Sequence, residues 1–221
     1  MSLQPAIRSI AGLSLLGLTA ACYPSGEARL PASAHAALTA SLDSCRAIRS
    51  RSAVPESPTL STSSWSTGLV REFRDFALFI PDSARVEPSD SAAGGVRLSW
   101  SGCASCNLSV RLEQDSSGAG IDGRVARLIA AQRVIDSINN DPHTTVFEFD
   151  ELVGPPRPFK TATQRGIMLE DSCGDCGAET LLFGRRGQIA VVSLSADDDE
   201  PALPRRMCEL AVVGKTFRWQ D

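Results

Sequence analysis

Three short stretches of this chain repeat with a period of two. Phe76, Leu78 and Ile80 alternate with Ala77 and Phe79, Val96, Leu98 and Trp100 with Arg97 and Ser99, and Leu108, Val110 and Leu112 with Ser109, Arg111 and Glu113. Successive side chains of a strand point to opposite faces, so this pattern calls for half-buried antiparallel strands, apolar inward and polar outward. Pro81 stops the first strand, and Ser101–Asn107 is short enough for a hairpin tip between the other two. Further strands are expected at Thr145–Leu152, Ile167–Glu170, Glu179–Phe183 and Gln188–Leu194. Gly184-Arg185-Arg186-Gly187 reads as the turn joining the last two.

Elsewhere the period changes to that of a helix. Asp122 can cap a helix over Gly123–Asn139, with Leu128, Ala131, Ile135 and Ile138 as its buried stripe and Arg124, Arg127, Arg133 and Asp136 in water. Leu203, Met207, Leu210, Gly214 and Phe217 mark a second amphipathic helix, which ends in Phe217-Arg218-Trp219. An alanine-rich stretch, Ala34–Arg49, carries Leu38, Leu42, Cys45 and Ile48 on one stripe. It is expected as an extra N-terminal helix (34–50), separated from the rest by a Ser/Thr/Pro linker (51–68) with Trp65 as its anchoring point. The fold class that follows is α+β: an antiparallel sheet covered by two amphipathic helices in a globular domain over 69–221.

The N-terminus sets the compartment. Arg8 is the sole charged side chain before Glu27, and an apolar run from Ile10 to Ala21 follows it. Twelve residues span roughly 18 Å as a helix, too short for a hydrocarbon core of about 30 Å. A basic start, a short apolar stretch and small residues before a cut site describe a secretory signal over residues 1–21. Leu18-Thr19-Ala20-Ala21-Cys22 resembles the bacterial lipoprotein lipobox. That resemblance implies cleavage before Cys22, lipidation of its thiol and acylation of the new amine. Tyr23 after the cysteine implies, by the same resemblance, the outer rather than the inner membrane. Residues 22–33, with two prolines and small polar side chains, read as a tether.

Charge and composition exclude some classes. The formal net charge is −4 over 221 residues, and such mild acidity argues against nucleic acid, whose binding needs a basic patch. With 2 histidines, His35 and His143, general bases and metal ligands are scarce. No Gly-x-Ser-x-Gly elbow follows the signal, so an acyl-transfer enzyme has no support. Gly118-Ala119-Gly120-Ile121-Asp122-Gly123 matches Gly-x-Gly-x-x-Gly, but antiparallel strands surround it and a flexible loop is expected instead of a dinucleotide site. Asp197-Asp198-Asp199-Glu200 lacks the alternating acids and glycine of a calcium loop and reads as a solvated run.

Six of the 7 cysteines lie beyond Cys22. Cys103-Ala104-Ser105-Cys106 and Cys173-Gly174-Asp175-Cys176 sit at the expected hairpin tips. In an oxidising compartment the expected state is disulfide, with Cys103 to Cys106, Cys173 to Cys176, and Cys45 to Cys208. Two alternatives use the same residues. A four-cysteine zinc site would need pairs far further apart than the usual ~15–20 residues. A redox pair would need its first cysteine at a helix N-terminus, and strand-like sequence follows both motifs.

The order strands, helix, strands and terminal helix, with an apolar strand ending in Pro81 and a last helix ending in Phe217-Arg218-Trp219, resembles the PsbP-like α/β/α sandwich over roughly Leu69 to Trp219. That group includes photosystem accessory proteins and bacterial lipoproteins, mostly binding or assembly factors with no shared catalytic set. The expectation is a non-enzymatic envelope lipoprotein without a cofactor, held to the membrane through Cys22 and meeting an envelope protein partner. The alternative is an envelope thiol–disulfide or zinc protein using the paired cysteines.

Overall fold

A computed structural model describes residues 26–48, 63–88, 95–100, 102–139, 151–152, 154–172, 176–197 and 202–220. The elements run β1 (Gly26–Ala28), α1 (Ala32–Arg46), α2 (Ser63–Ser66), β2 (Gly68–Glu72), β3 (Phe76–Pro81), β4 (Ala84–Pro88), β5 (Val96–Trp100) and β6 (Cys103–Gln114). They continue with α3 (Gly120–Asn139), β7 (Glu151–Leu152), β8 (Arg157–Lys160), β9 (Arg165–Ser172), β10 (Cys176–Arg185), β11 (Gln188–Asp197), α4 (Leu203–Gly214) and β12 (Arg218–Trp219). The class is α+β as expected, but the strands form two sheets rather than one. A small sheet has the order β1-β2-β3-β12, and an eight-stranded sheet has the order β4-β5-β6-β11-β10-β9-β7, with β8 also on β9. Among the described residues three helices accompany them besides the single turn of α2: α3 and α4, and the expected extra N-terminal helix as α1, which packs on α4.

The alternating pattern is obeyed where one face of the sheet meets water. Along β6, Leu108, Val110 and Leu112 are buried while Arg111 is exposed. Strand β3 departs from it, because all six of its residues are buried. It lies inside the small sheet with α2 and α4 both against it, so Ala77 and Phe79 are covered as fully as Leu78. The β10–β11 turn falls where expected: Arg185 pairs with Gln188, and Gly187, the second of the two turn residues, takes a positive φ of +69° that glycine adopts without steric cost.

Several boundaries move, each for a local reason. Gly26–Ala28 is no tether: it pairs antiparallel with Glu72–Val70 as an edge strand. Cys103 and Cys106 belong to β6, since Trp100 already pairs with Cys103 beside a register shift and the turn is shorter than expected. Helix α3 starts at Gly120, so Asp122 sits in its first turn and Asp115 does the capping. The Asp115 carboxylate accepts the Ser117 hydroxyl (2.6 Å) and the Gly120 N–H (2.7 Å), which hold it below the usual carboxylate range. Its inward residues are Ile121, Val125, Leu128 and Ile129, while Ala131 is exposed and Arg124 half-buried. Helix α4 ends at Gly214, and Phe217 follows it as part of a ring cluster with Phe76, Phe183 and Trp219. In the expected linker, Trp65 is buried and stacks on Trp100 at 4.8 Å between centroids. The strand expected at Thr145–Leu152 is seen as β7; residues 145–150 lie outside the described part.

The main core sits on one face of the large sheet. Leu98, Leu108, Val110, Leu181, Phe183, Val192 and Leu194 meet α4 and the small sheet there. Helix α4 is covered on its other side by α1, through Leu38, Leu42 and Cys45.

Candidate functional site

Where α4 lies over β10 and leaves β9 beside it uncovered, a groove of about 530 Å³ opens. Met168 from β9 and Leu203, Met207, Ala211 and Val212 from α4 give it apolar walls. The period of two explains its polar floor. Glu179 is in phase with Leu181 and Phe183, which enter the core, and Glu170 is in phase with Met168. The β9–β10 register then sets Glu179 directly opposite Glu170 on one face.

Like charges directly opposed across a sheet destabilise it, and the two carboxylates are treated differently by their surroundings. Glu170 is half-exposed and forms an ion pair with Arg157 of β8. Glu179 is more deeply placed, and its Oε2 is buried without a hydrogen-bond partner. Desolvation pushes the Glu179 carboxyl above its ordinary value, opposed by the nearby Lys215 and reinforced by Glu170. The Lys215 ammonium lies 5.4 Å from the centre of the Phe159 ring. Asp171, at the margin, accepts a hydrogen bond from the Thr180 hydroxyl at 2.8 Å.

Cysteines frame the groove. Cys208 of α4 lines it and is bonded to Cys45 of α1 across 163 positions of sequence. Cys176, at the start of β10, also lines it and is disulfide-bonded. Cys103 and Cys106 form a disulfide within β6, away from the groove. That bond removes two thiolates from any four-cysteine zinc set, and both residues sit in a strand, without the helix terminus a redox pair needs. Among the described residues no group of three metal-ligating side chains comes together. Cys22, Cys173, His143 and residues 198–200 lie outside the described part. The His35 Nε2 lies 3.0 Å from the Ser66 carbonyl oxygen and ties α1 to α2. Gly118, in the loop before α3, and Gly120, the first residue of α3, have positive φ. Strand β6 pairs antiparallel with β5 and β11, and β7, the strand that follows α3, pairs antiparallel with β9, so the loop opens no unit of adjacent parallel strands, the setting of a dinucleotide site.

No protein-family model and no curated protein sequence matches this chain. Solved structures do. One is the solution structure of cyanobacterial PsbP (CyanoP) from Synechocystis sp. PCC 6803, at 14% identity and TM-score 0.46, over 66% of this chain and 86% of that one. Another is LpqN, described as involved in cell envelope biogenesis of Mycobacterium tuberculosis, at 14% identity and TM-score 0.39, over 66% and 83%. A protein of Bacteroides thetaiotaomicron VPI-5482 matches at 12% identity and TM-score 0.33, over 66% and 45%. At these identities and scores no residue role or activity passes from them to this chain.

Sequence reasoning missed Glu170, Glu179 and Lys215, although the phase of Glu179 with Leu181 and Phe183 was a usable signal. It also missed a buried polar cluster on α4. Glu209 accepts from Arg205 at 3.1 Å and from Arg206 at 2.7 Å, and Arg206 lies 6.0 Å from the centre of the Trp65 ring. These residues are buried because α1 and α2 pack on the side of α4 that an amphipathic pattern assigns to water.

Proposed function

We propose that this chain is a lipid-anchored binding module of the cell envelope that holds its ligand in the groove between α4 and the β9–β10 hairpin. The observation that carries the reading is the groove itself. Its volume falls in the range of about 300–1,000 Å³ common for small-molecule sites, and it combines apolar walls with a few convergent polar groups. A desolvated carboxyl on its floor is the kind of perturbed group that gathers at functional sites. The anchor reading rests on the lipobox resemblance at Leu18–Cys22, and Tyr23 directs it to the outer membrane. Two or three acyl chains, at ~0.8 kcal/mol per buried methylene, would hold such a protein firmly on lipid.

Two measurements test this. Cys22→Ser should leave the protein unprocessed or release it from sedimented membranes; fully processed variant remaining with lipid would overturn the anchor. Native mass spectrometry of gently extracted protein should show a small-molecule adduct that Val212→Trp, which fills the groove, removes. An adduct that survives Val212→Trp would place binding elsewhere.

A further inference from the structure

We infer that the groove binds a small amphipathic primary amine, its ammonium between Glu179 and Glu170 and its aliphatic stem along Met168, Met207 and Val212. The inference rests on the binding-module reading above and narrows it to one ligand class.

Opposed glutamates on one face lose their mutual repulsion when a cation sits between them. Neither cation already nearby fills that role. Arg157 engages Glu170 from β8, and Lys215 is drawn over the Phe159 ring, leaving Glu179 Oε2 without a donor. A primary ammonium carries three N–H groups on a compact head, enough to reach both carboxylates at once. A divalent metal fits less well, since calcium takes 6–8 oxygen ligands and the groove floor offers two opposed carboxylates between apolar walls. The apolar walls instead match an alkyl stem, whose burial adds ~0.8 kcal/mol per methylene. Size favours a small molecule over a protein: a stable protein interface buries about 1,200–2,000 Å², far more than a groove of this size presents.

The site is pH-sensitive. Burial raises the Glu179 carboxyl, so on acidification a proton competes with the amine before an ordinary glutamate would take one. The charged groups facing Glu179 are Glu170 and Asp171 on β9, Arg157 on β8 and Lys215 after α4. Of these the two acids deepen the effect, and Lys215 and Arg157 oppose it.

Isothermal titration of the detergent-solubilised full chain with n-butylammonium and n-butanol tests the inference. Charge-assisted hydrogen bonding predicts about tenfold or greater preference for n-butylammonium at pH 7.5, weakening as the pH falls. Glu179→Gln should abolish that preference while leaving n-butanol binding unchanged. Glu170→Gln, at the more exposed partner, should reduce it in part and serves as the test if Glu179→Gln does not fold. Equal affinity for the two probes in the native protein, or an unchanged preference in Glu179→Gln, overturns the amine assignment while the groove still binds. Failure of both probes to bind overturns the amine assignment and the groove reading together.

Discussion

The two faces of the eight-stranded sheet are covered very differently. On one, buried residues from β5, β6, β10 and β11 run continuously, from Val96 and Leu98 to Phe183 and Val192, beneath α4 and the small sheet. On the other, the buried set is Val125 from α3 with Leu169, Leu182, Ile189 and Val191. Beyond α3 that second face turns to Ser109, Arg111, Thr180 and Ser193, which are half-buried or exposed. Stability therefore concentrates on the α4 face, and α3 is held by a thin patch over β10 and β11. The groove lies on the well-covered face at the point where α4 gives out. A carboxyl there is desolvated by the core beside it yet still reachable, a combination that the α3 face does not provide.

The largest expected effect breaks the α4 side at its covalent link. Cys45→Ser with Cys208→Ser opens a loop of 163 positions, for which the chain-entropy account gives about 5 kcal/mol. Helix α1 should then become open to proteolysis while the two sheets stay folded; limited digestion with mass spectrometry reads this directly. Unaltered protection of residues 32–46 would mean that Leu38, Leu42 and the His35–Ser66 contact hold α1 without the bond.

Matched truncations on the two faces sharpen the contrast. Leu210→Ala, at a fully buried α4 position, should cost about 2–5 kcal/mol in chemical denaturation. Leu128→Ala, at a half-buried α3 position, should cost about 1 kcal/mol. Equal losses at the two sites would refute the asymmetry.

The smallest effect is a change in slope. Because the folded-state carboxyl of Glu179 is raised, the folded protein binds more protons than the unfolded chain between the ordinary glutamate value and the raised one. Its contribution to stability is full below that window and is lost as the pH rises through it. Glu179→Gln should flatten this segment of the stability–pH curve and leave the low-pH end in place. A curve with the same slope in both proteins would show that the carboxyl is solvated after all.

Much of this was readable from the chain, and the reasons for the remainder are physical. The strands at 96–100 and 108–112 announced themselves because each has one wet and one dry face, and those at 179–183 and 188–194 through apolar runs buried on both faces. Strand β3 was legible as a strand ending at Pro81, but its burial on both faces was not: Ala77 and Phe79 are as buried as their neighbours because packing by other elements covers them. Strands β1 and β12 are two or three residues long and exist only through their partners β2 and β3. In α4 the stripe Leu203, Met207 and Leu210 was plain, but Arg206 and Glu209 gave no sign of burial, because what buries them is α1, brought there by packing across the linker. The groove needed both kinds of information. The inward phase of Glu179 is a local property, whereas its pairing with Glu170 depends on the β9–β10 register and its desolvation on where α4 lies.

Strand β1 has one more consequence. Gly26, its first residue, comes four positions after Cys22, and four residues of fully extended chain reach at most about 14 Å. With acyl chains on Cys22, the domain could rise no further than that from the lipid. The β1 edge of the small sheet, where Glu27 meets Arg71 at 3.2 Å, would ride at the height of the lipid headgroups. The height of the domain above the bilayer would then be limited by three residues of backbone pairing, which keep that edge of the small sheet near the lipid.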